Sequence, residues 1–224
     1  MKKNTPYFLA LSLSVLFVSC ASNDTEIIND TPENLLQSYT LKRDASGAYS
    51  IDFHTTDNTD VTTVTNVDNS NEIILAETSQ NTATKHSNSF SIENDQLKIG
   101  FLEANKGKTR NIYIEDENIT FAKGITEFLN SYSITANEDN TYQLDFVVND
   151  NVSTNFIYNE DLKTYEVHLT NGTSSQNNFS RELKKRPDAD MLRLDFVNHI
   201  YAGKTEEEMV TRKPKVGVDN GEFI

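Results

Sequence analysis

The chain has 224 residues and a formal net charge of -14 from 20 Lys and Arg against 34 Asp and Glu. A polyanion of this size repels phosphate backbones, which argues against a nucleic-acid partner. Its single cysteine excludes an internal disulfide, so stability has to come from packing.

At the amino terminus, Lys2 and Lys3 precede Tyr7 to Val18, YFLALSLSVLFV, twelve residues without a charge. That run is about half of the ~20 residues that a membrane-spanning helix needs, and it suits the apolar region of a secretory signal. Phe17-Val18-Ser19-Cys20 then resembles a bacterial lipobox, in which a small residue precedes the cysteine that is lipidated. Phe17 stands where the usual leucine would be. The resemblance implies a signal peptide over residues 1–19, a diacylglycerol thioether on Cys20, and an acyl chain such as palmitate on the new amine. Two or more chains hold a protein firmly at ~0.8 kcal/mol per buried methylene.

Ala21 rather than aspartate follows the cysteine, so the common inner-membrane retention signal is missing. Ser22, Asn23, Asp24 and Glu26 resemble the serine-plus-acidic export signal of Bacteroidota surface lipoproteins. The resemblance implies an outer-membrane lipoprotein facing the cell exterior, with the periplasmic face as the alternative. Loss of Lys2 and Lys3 with the signal takes the net charge to -16. Residues 20–30 then read as the lipidated cysteine and a flexible tether.

The remainder repeats itself. Leu35-Leu36-Gln37-Ser38-Tyr39-Thr40-Leu41 aligns with Phe128-Leu129-Asn130-Ser131-Tyr132-Ser133-Ile134, 93 positions later. Tyr49-Ser50-Ile51-Asp52-Phe53 meets Tyr142-Gln143-Leu144-Asp145-Phe146 at the same shift. Gln96 to Phe101 matches Met191 to Phe196 at 95, and Gly107-Lys108-Thr109 matches Gly203-Lys204-Thr205 at 96. Self-similarity in constant order points to a duplicated unit. The expected copies are residues 31–123 and 124–224.

Within each copy, apolar residues alternate with polar ones, so strands with one buried face are expected. Tyr49, Ile51 and Phe53 form one such face, and Ile112 with Ile114 another. Tyr142, Leu144, Phe146 and Val148, then Tyr165, Val167 and Leu169, then Leu192, Leu194 and Phe196 continue the pattern. Turn formers separate them at Asp44–Gly47, Asp68–Asn71, Asn137–Asn140 and Thr170–Thr173. Thr31-Pro32-Glu33 suggests that a short helical turn opens the copy. The fold class expected is all-β: two tandem antiparallel, immunoglobulin-like β-sandwich repeats of about seven strands each. The structural alternative is one larger sandwich or barrel built from both copies.

Chemical motifs are sparse. Gly107-Lys108-Thr109 lacks the glycine five positions earlier that a phosphate loop needs. His54, His86, His168 and His199 have no helical zinc spacing. Asp57, Asp60, Glu138 and Asp139 are weak calcium candidates, without the ordered loop of a helical calcium site. No Gly-x-Ser-x-Gly elbow occurs and no catalytic residue is nominated, so no metal and no cofactor is expected. Arg181, Lys184, Lys185 and Arg186 crowd one loop of the second copy, and Arg212, Lys213 and Lys215 crowd the tail. The first cluster is a candidate patch for an anionic partner, against a solvated hairpin end. The expected role is a binding, adhesion or assembly module for a protein or glycan; the alternative is a hydrolase or accessory factor in nutrient capture, with its site where the copies meet.

Overall fold

The structure is a computed structural model that describes residues 34–116, 127–137, 141–201 and 208–219. The described residues form fourteen strands, seven to a copy. The first copy gives β1 (Leu36–Arg43), β2 (Tyr49–Thr55), β3 (Thr59–Thr65), β4 (Asn71–Glu77), β5 (Lys85–Phe90), β6 (Gln96–Glu103) and β7 (Lys108–Glu115). The second gives β8 (Leu129–Ala136), β9 (Thr141–Val148), β10 (Val152–Asn159), β11 (Thr164–Asn171), β12 (Asn178–Lys184), β13 (Leu192–Tyr201) and β14 (Glu208–Asp219).

Two sheets contain all of them. The first runs β12-β9-β8-β1-β2-β5 and the second β10-β11-β13-β14-β7-β6-β4-β3. Each order reads as the same positions from either edge inward, with the copies meeting at β1·β8 and β7·β14, both antiparallel. The parallel pairs β4·β6 and β11·β13 also correspond. In each, the crossover passes through a strand of the opposite sheet, β5 or β12.

This corrects the tandem, immunoglobulin-like reading: the copies share both sheets, and the larger sandwich describes them. The cause is the edge each half would otherwise present. In isolation β1 and β7 would border their sheets with rows of unpaired N–H and C=O groups, a template for pairing. Their counterparts β8 and β14 satisfy those rows. Thr31-Pro32-Glu33 lies outside the described residues, and no helix occurs among those described. The first described strand of each copy is bulged: the register of β1 on β2 shifts between Leu36 and Ser38, and that of β8 on β9 between Leu129 and Ser131. The bulge explains why Leu36 and Tyr39, three apart, both face inward, as do Leu129 and Tyr132.

The core between the sheets is built twice from one plan. Phe101 of the second sheet packs on Tyr39 and Phe53 of the first, with ring centroids 5.3 Å away in both cases. Phe196 packs on Tyr132 and Phe146 at 5.1 and 5.8 Å. The interplanar angles agree as well, 32° and 72° against 36° and 74°. Phe53 stacks on His86 at 4.9 Å, and Phe146 on Phe179 at 5.0 Å. Each fully buried phenylalanine contributes roughly 1.5–3 kcal/mol through burial.

At the seam a buried polar knot joins the copies. Arg43 Nε donates to Asp116 Oδ2 at 2.7 Å, and its Nη2 to Glu127 at 3.1 Å. Tyr49 OH donates to the same Asp116 oxygen at 2.8 Å, and Tyr132 OH donates to Tyr49 at 3.1 Å. Burial works against the Arg43 charge, but Asp116 and Glu127 outweigh it and hold the guanidinium protonated. Burial also raises the Glu127 carboxyl above its ordinary range, against the pull of Arg43.

Candidate functional site

Two outward surfaces carry chemistry. On the first sheet, period-two alternation turns small polar residues outward. Register aligns them in one row across five strands: Ser50 faces Lys42, Lys42 faces Ser133, Ser133 faces Asp145, and Asp145 faces Ser180. Short side chains leave a groove of about 580 Å³ along this row, flanked by Val147, Asn178 and the turn at Asp44 and Ala45. It crosses from copy to copy over the β1·β8 seam.

Its charged groups are engaged. Lys42 pairs with Asp52, which also accepts from Ser87 Oγ at 2.6 Å. Asp145 accepts from Ser180 Oγ at 2.5 Å, the corresponding pair in the second copy. Asp44 is taken up by its own turn, accepting from Ser46 N, Ser46 Oγ and Ala48 N. Hydrogen bonds from Lys42 and Ser87 hold the Asp52 carboxyl below its usual range. The turn hydrogen bonds do the same for Asp44.

The second surface lies on the outer face of the second sheet, over β11, β13 and β14. Glu166, whose side chain is 2% exposed, accepts from Asn159 Nδ2 at 2.9 Å and from Arg212. Its other oxygen lies 2.8 Å from His168 Nε2. His168 Nδ1 lies 3.0 Å from His199 Nε2, and His199 Nδ1 lies 2.7 Å from Glu208. Asp195 sits 3.7 Å from Arg212. Burial pushes the Glu166 carboxyl up, but the bonds from Arg212, His168 and Asn159 outweigh it and hold the group below its usual range. Asp195 is raised, by burial first, against Lys215 and Arg212.

A bulge assembles this cluster. Asp195 faces Lys215 but Val197 faces Arg212, so β14 carries an extra residue around Lys213 and Pro214. Proline, lacking an N–H, suits such a position. The slip changes the phase of β14, so that Lys215 and Gly217 on one side of it and Arg212, Val210 and Glu208 on the other all face outward.

The basic clusters read from sequence do not form one positive patch. Arg186 bonds Glu160 at 3.0 Å and lies over the Tyr158 ring at 4.6 Å. Lys184 pairs with Glu182, Lys185 Nζ donates to the Asp190 carbonyl, and Arg181 donates to the Ser180 carbonyl. In the tail, Arg212 joins Glu166 while Lys213 and Lys215 both meet Glu115. Of the calcium candidates, Asp57 lends its carbonyl to Thr82, and Asp60 accepts from Val61 N. Glu138 and Asp139 lie outside the described residues, as do Cys20, Ser22, Asn23, Asp24, Glu26 and Gly203–Thr205. Among the described residues no group of three or more His, Cys, Asp or Glu side chains is placed to hold a metal.

The histidine pair is what motif spacing could not find. His168 and His199 are 31 residues apart and meet because β11 and β13 pair in parallel. One signal was present: His168 is out of phase with Tyr165, Val167 and Leu169, which sends it outward. Comparison with protein-family models, with curated proteins and with solved structures finds no match to the chain.

Proposed function

We propose that this protein is a lipoprotein of the outer membrane, anchored through Cys20 and facing the cell exterior, whose sandwich is a non-catalytic binding module for a protein or glycan. The observation that carries the binding role is the serine-floored groove crossing both copies, lined by hydroxyl, amide and charged groups. Its acids, Asp44 and Asp145, are each committed to internal hydrogen bonds. That suits recognition of polar groups more than attack on a bond. The anchor rests on the lipobox resemblance and on the acidic segment that follows it.

Mass spectrometry of the membrane-extracted protein tests the anchor: a diacylglyceryl, acylated Cys20 is expected, and an unmodified thiol on an uncut chain would end this reading. Protease added to intact cells tests the face, with digestion expected. For the groove, glycan and peptide arrays probed with the wild type and with Ser133→Arg should differ, the bulky side chain abolishing a signal that the wild type gives. Retention of every signal by a folded Ser133→Arg variant would place binding elsewhere.

A further inference from the structure

We propose that His168 and His199 form one proton-binding site, in which a single proton bridges the two imidazoles and fastens β11 to β13 and to the outer half of β14. Proton counting carries it. Glu166, His168, His199 and Glu208 form a row of four groups joined by three contacts of hydrogen-bond length, 2.8, 3.0 and 2.7 Å. Three hydrogen bonds need three protons. Two carboxylates and two neutral imidazoles bring only two, since each neutral ring has one N–H.

With both N–H groups spent on Glu166 and Glu208, the facing nitrogens would present two lone pairs to each other at 3.0 Å. A third proton removes that repulsion and makes one imidazole cationic. The ring geometry agrees. The centroids are 5.3 Å apart while the nitrogens are 3.0 Å apart, a separation reached when the two rings meet edge to edge with the nitrogens on the line of centres. A proton fits on that line; a metal ion, whose bonds to imidazole nitrogen run to about 2.0–2.1 Å, does not.

The surroundings favour the extra charge. Facing the pair are Glu166 from its own strand β11, Asp195 from β13, Glu208 and Arg212 from β14, and the amide of Asn159 from β10. Three acids stand against two cations, Arg212 and, beside Asp195, Lys215, so the bridging proton brings this set closer to neutrality. Glu166 accepts from Arg212 and Asn159 as a carboxylate, and imidazole is a stronger base than the carboxylate of Glu208, which leaves the third proton to the rings. The two ends differ in access: Glu166 is 2% exposed and Glu208 46%. The rings themselves are 23% and 24% exposed, so the bridging proton exchanges with water at the rings directly.

The full chain in detergent micelles, labelled with ¹⁵N at histidine, tests this directly. At pH 6 the expected spectrum shows both outer nitrogens protonated and a through-bond coupling between His168 Nδ1 and His199 Nε2. Absence of that coupling, or an outer nitrogen lacking its proton, would overturn the site. His199→Asn, which removes one of the two facing rings, should lose the coupling, and the spectrum of the wild type decides the matter should the variant not fold.

Discussion

The two copies agree in their aromatic core and part company on the outer face of the second sheet. Their inward rings correspond residue for residue, Tyr39, Phe53 and Phe101 against Tyr132, Phe146 and Phe196, with like separations and angles. On the outer face of the second sheet, parallel registers set Glu72 beside Gly100 in the first copy and Glu166 beside Asp195 in the second. Two residues on, Ile74 stands in the first copy where His168 stands in the second. The inner face must fill a fixed gap between sheets, so its volumes are held. The outer face meets water, where substitution costs little, and there the second copy has acquired a charged cluster that the first lacks.

The largest effects should come from the shared plan. Phe101→Ala and Phe196→Ala should each cost about 3–5 kcal/mol, nearly the same as one another, in one cooperative urea transition. Two separate transitions would show that the copies are independent bodies. Next comes the seam, which differs between the copies because Ala136 takes the position that matches Arg43. Arg43→Met leaves Asp116 buried without its cation and should cost about 3–5 kcal/mol by the same melts. A loss under about 1 kcal/mol would mean the knot relaxes or takes up water.

The outer faces should separate more gently. Glu166→Gln is expected to cost about 1–3 kcal/mol at pH 7, and its counterpart Glu72→Gln less than about 0.5 kcal/mol. The Glu166 carboxyl is held below its usual range in the folded chain, so its stabilisation is present above the ordinary carboxylate range and is lost as pH falls through the folded value. The gap between wild type and Glu166→Gln should therefore close below about pH 4. Equal effects at positions 72 and 166 would erase the contrast. The smallest effect belongs to Thr40, whose hydroxyl meets that of Thr135 at 3.0 Å across the seam. Thr40→Val should cost about 0.2–1 kcal/mol, read from thermal melts.

Much of this architecture was legible in the chain. The 93-residue echo and period-two alternation located both halves and their inward faces, and Asp44–Gly47 does form the turn between β1 and β2, with Gly47 at a φ of +82°. Pairing was not legible, because alternation says which side of a strand is buried but not which strand lies beside it. Hence two domains were expected where Thr40 in fact lies beside Thr135. The sites were harder still. The groove depends on cross-strand register, and the histidine cluster on a parallel pairing plus one extra residue near Pro214 that no periodicity announces.

The position of β1 has a mechanical meaning. It lies inside the first sheet with β2 on one flank and β8 on the other, and it is the first of the described strands. Tension arriving from the amino-terminal side would load two ladders at once, in shear along their length, instead of peeling a border strand one bond at a time. Flow or a tugging partner would then have to break both halves together before the chain gave way.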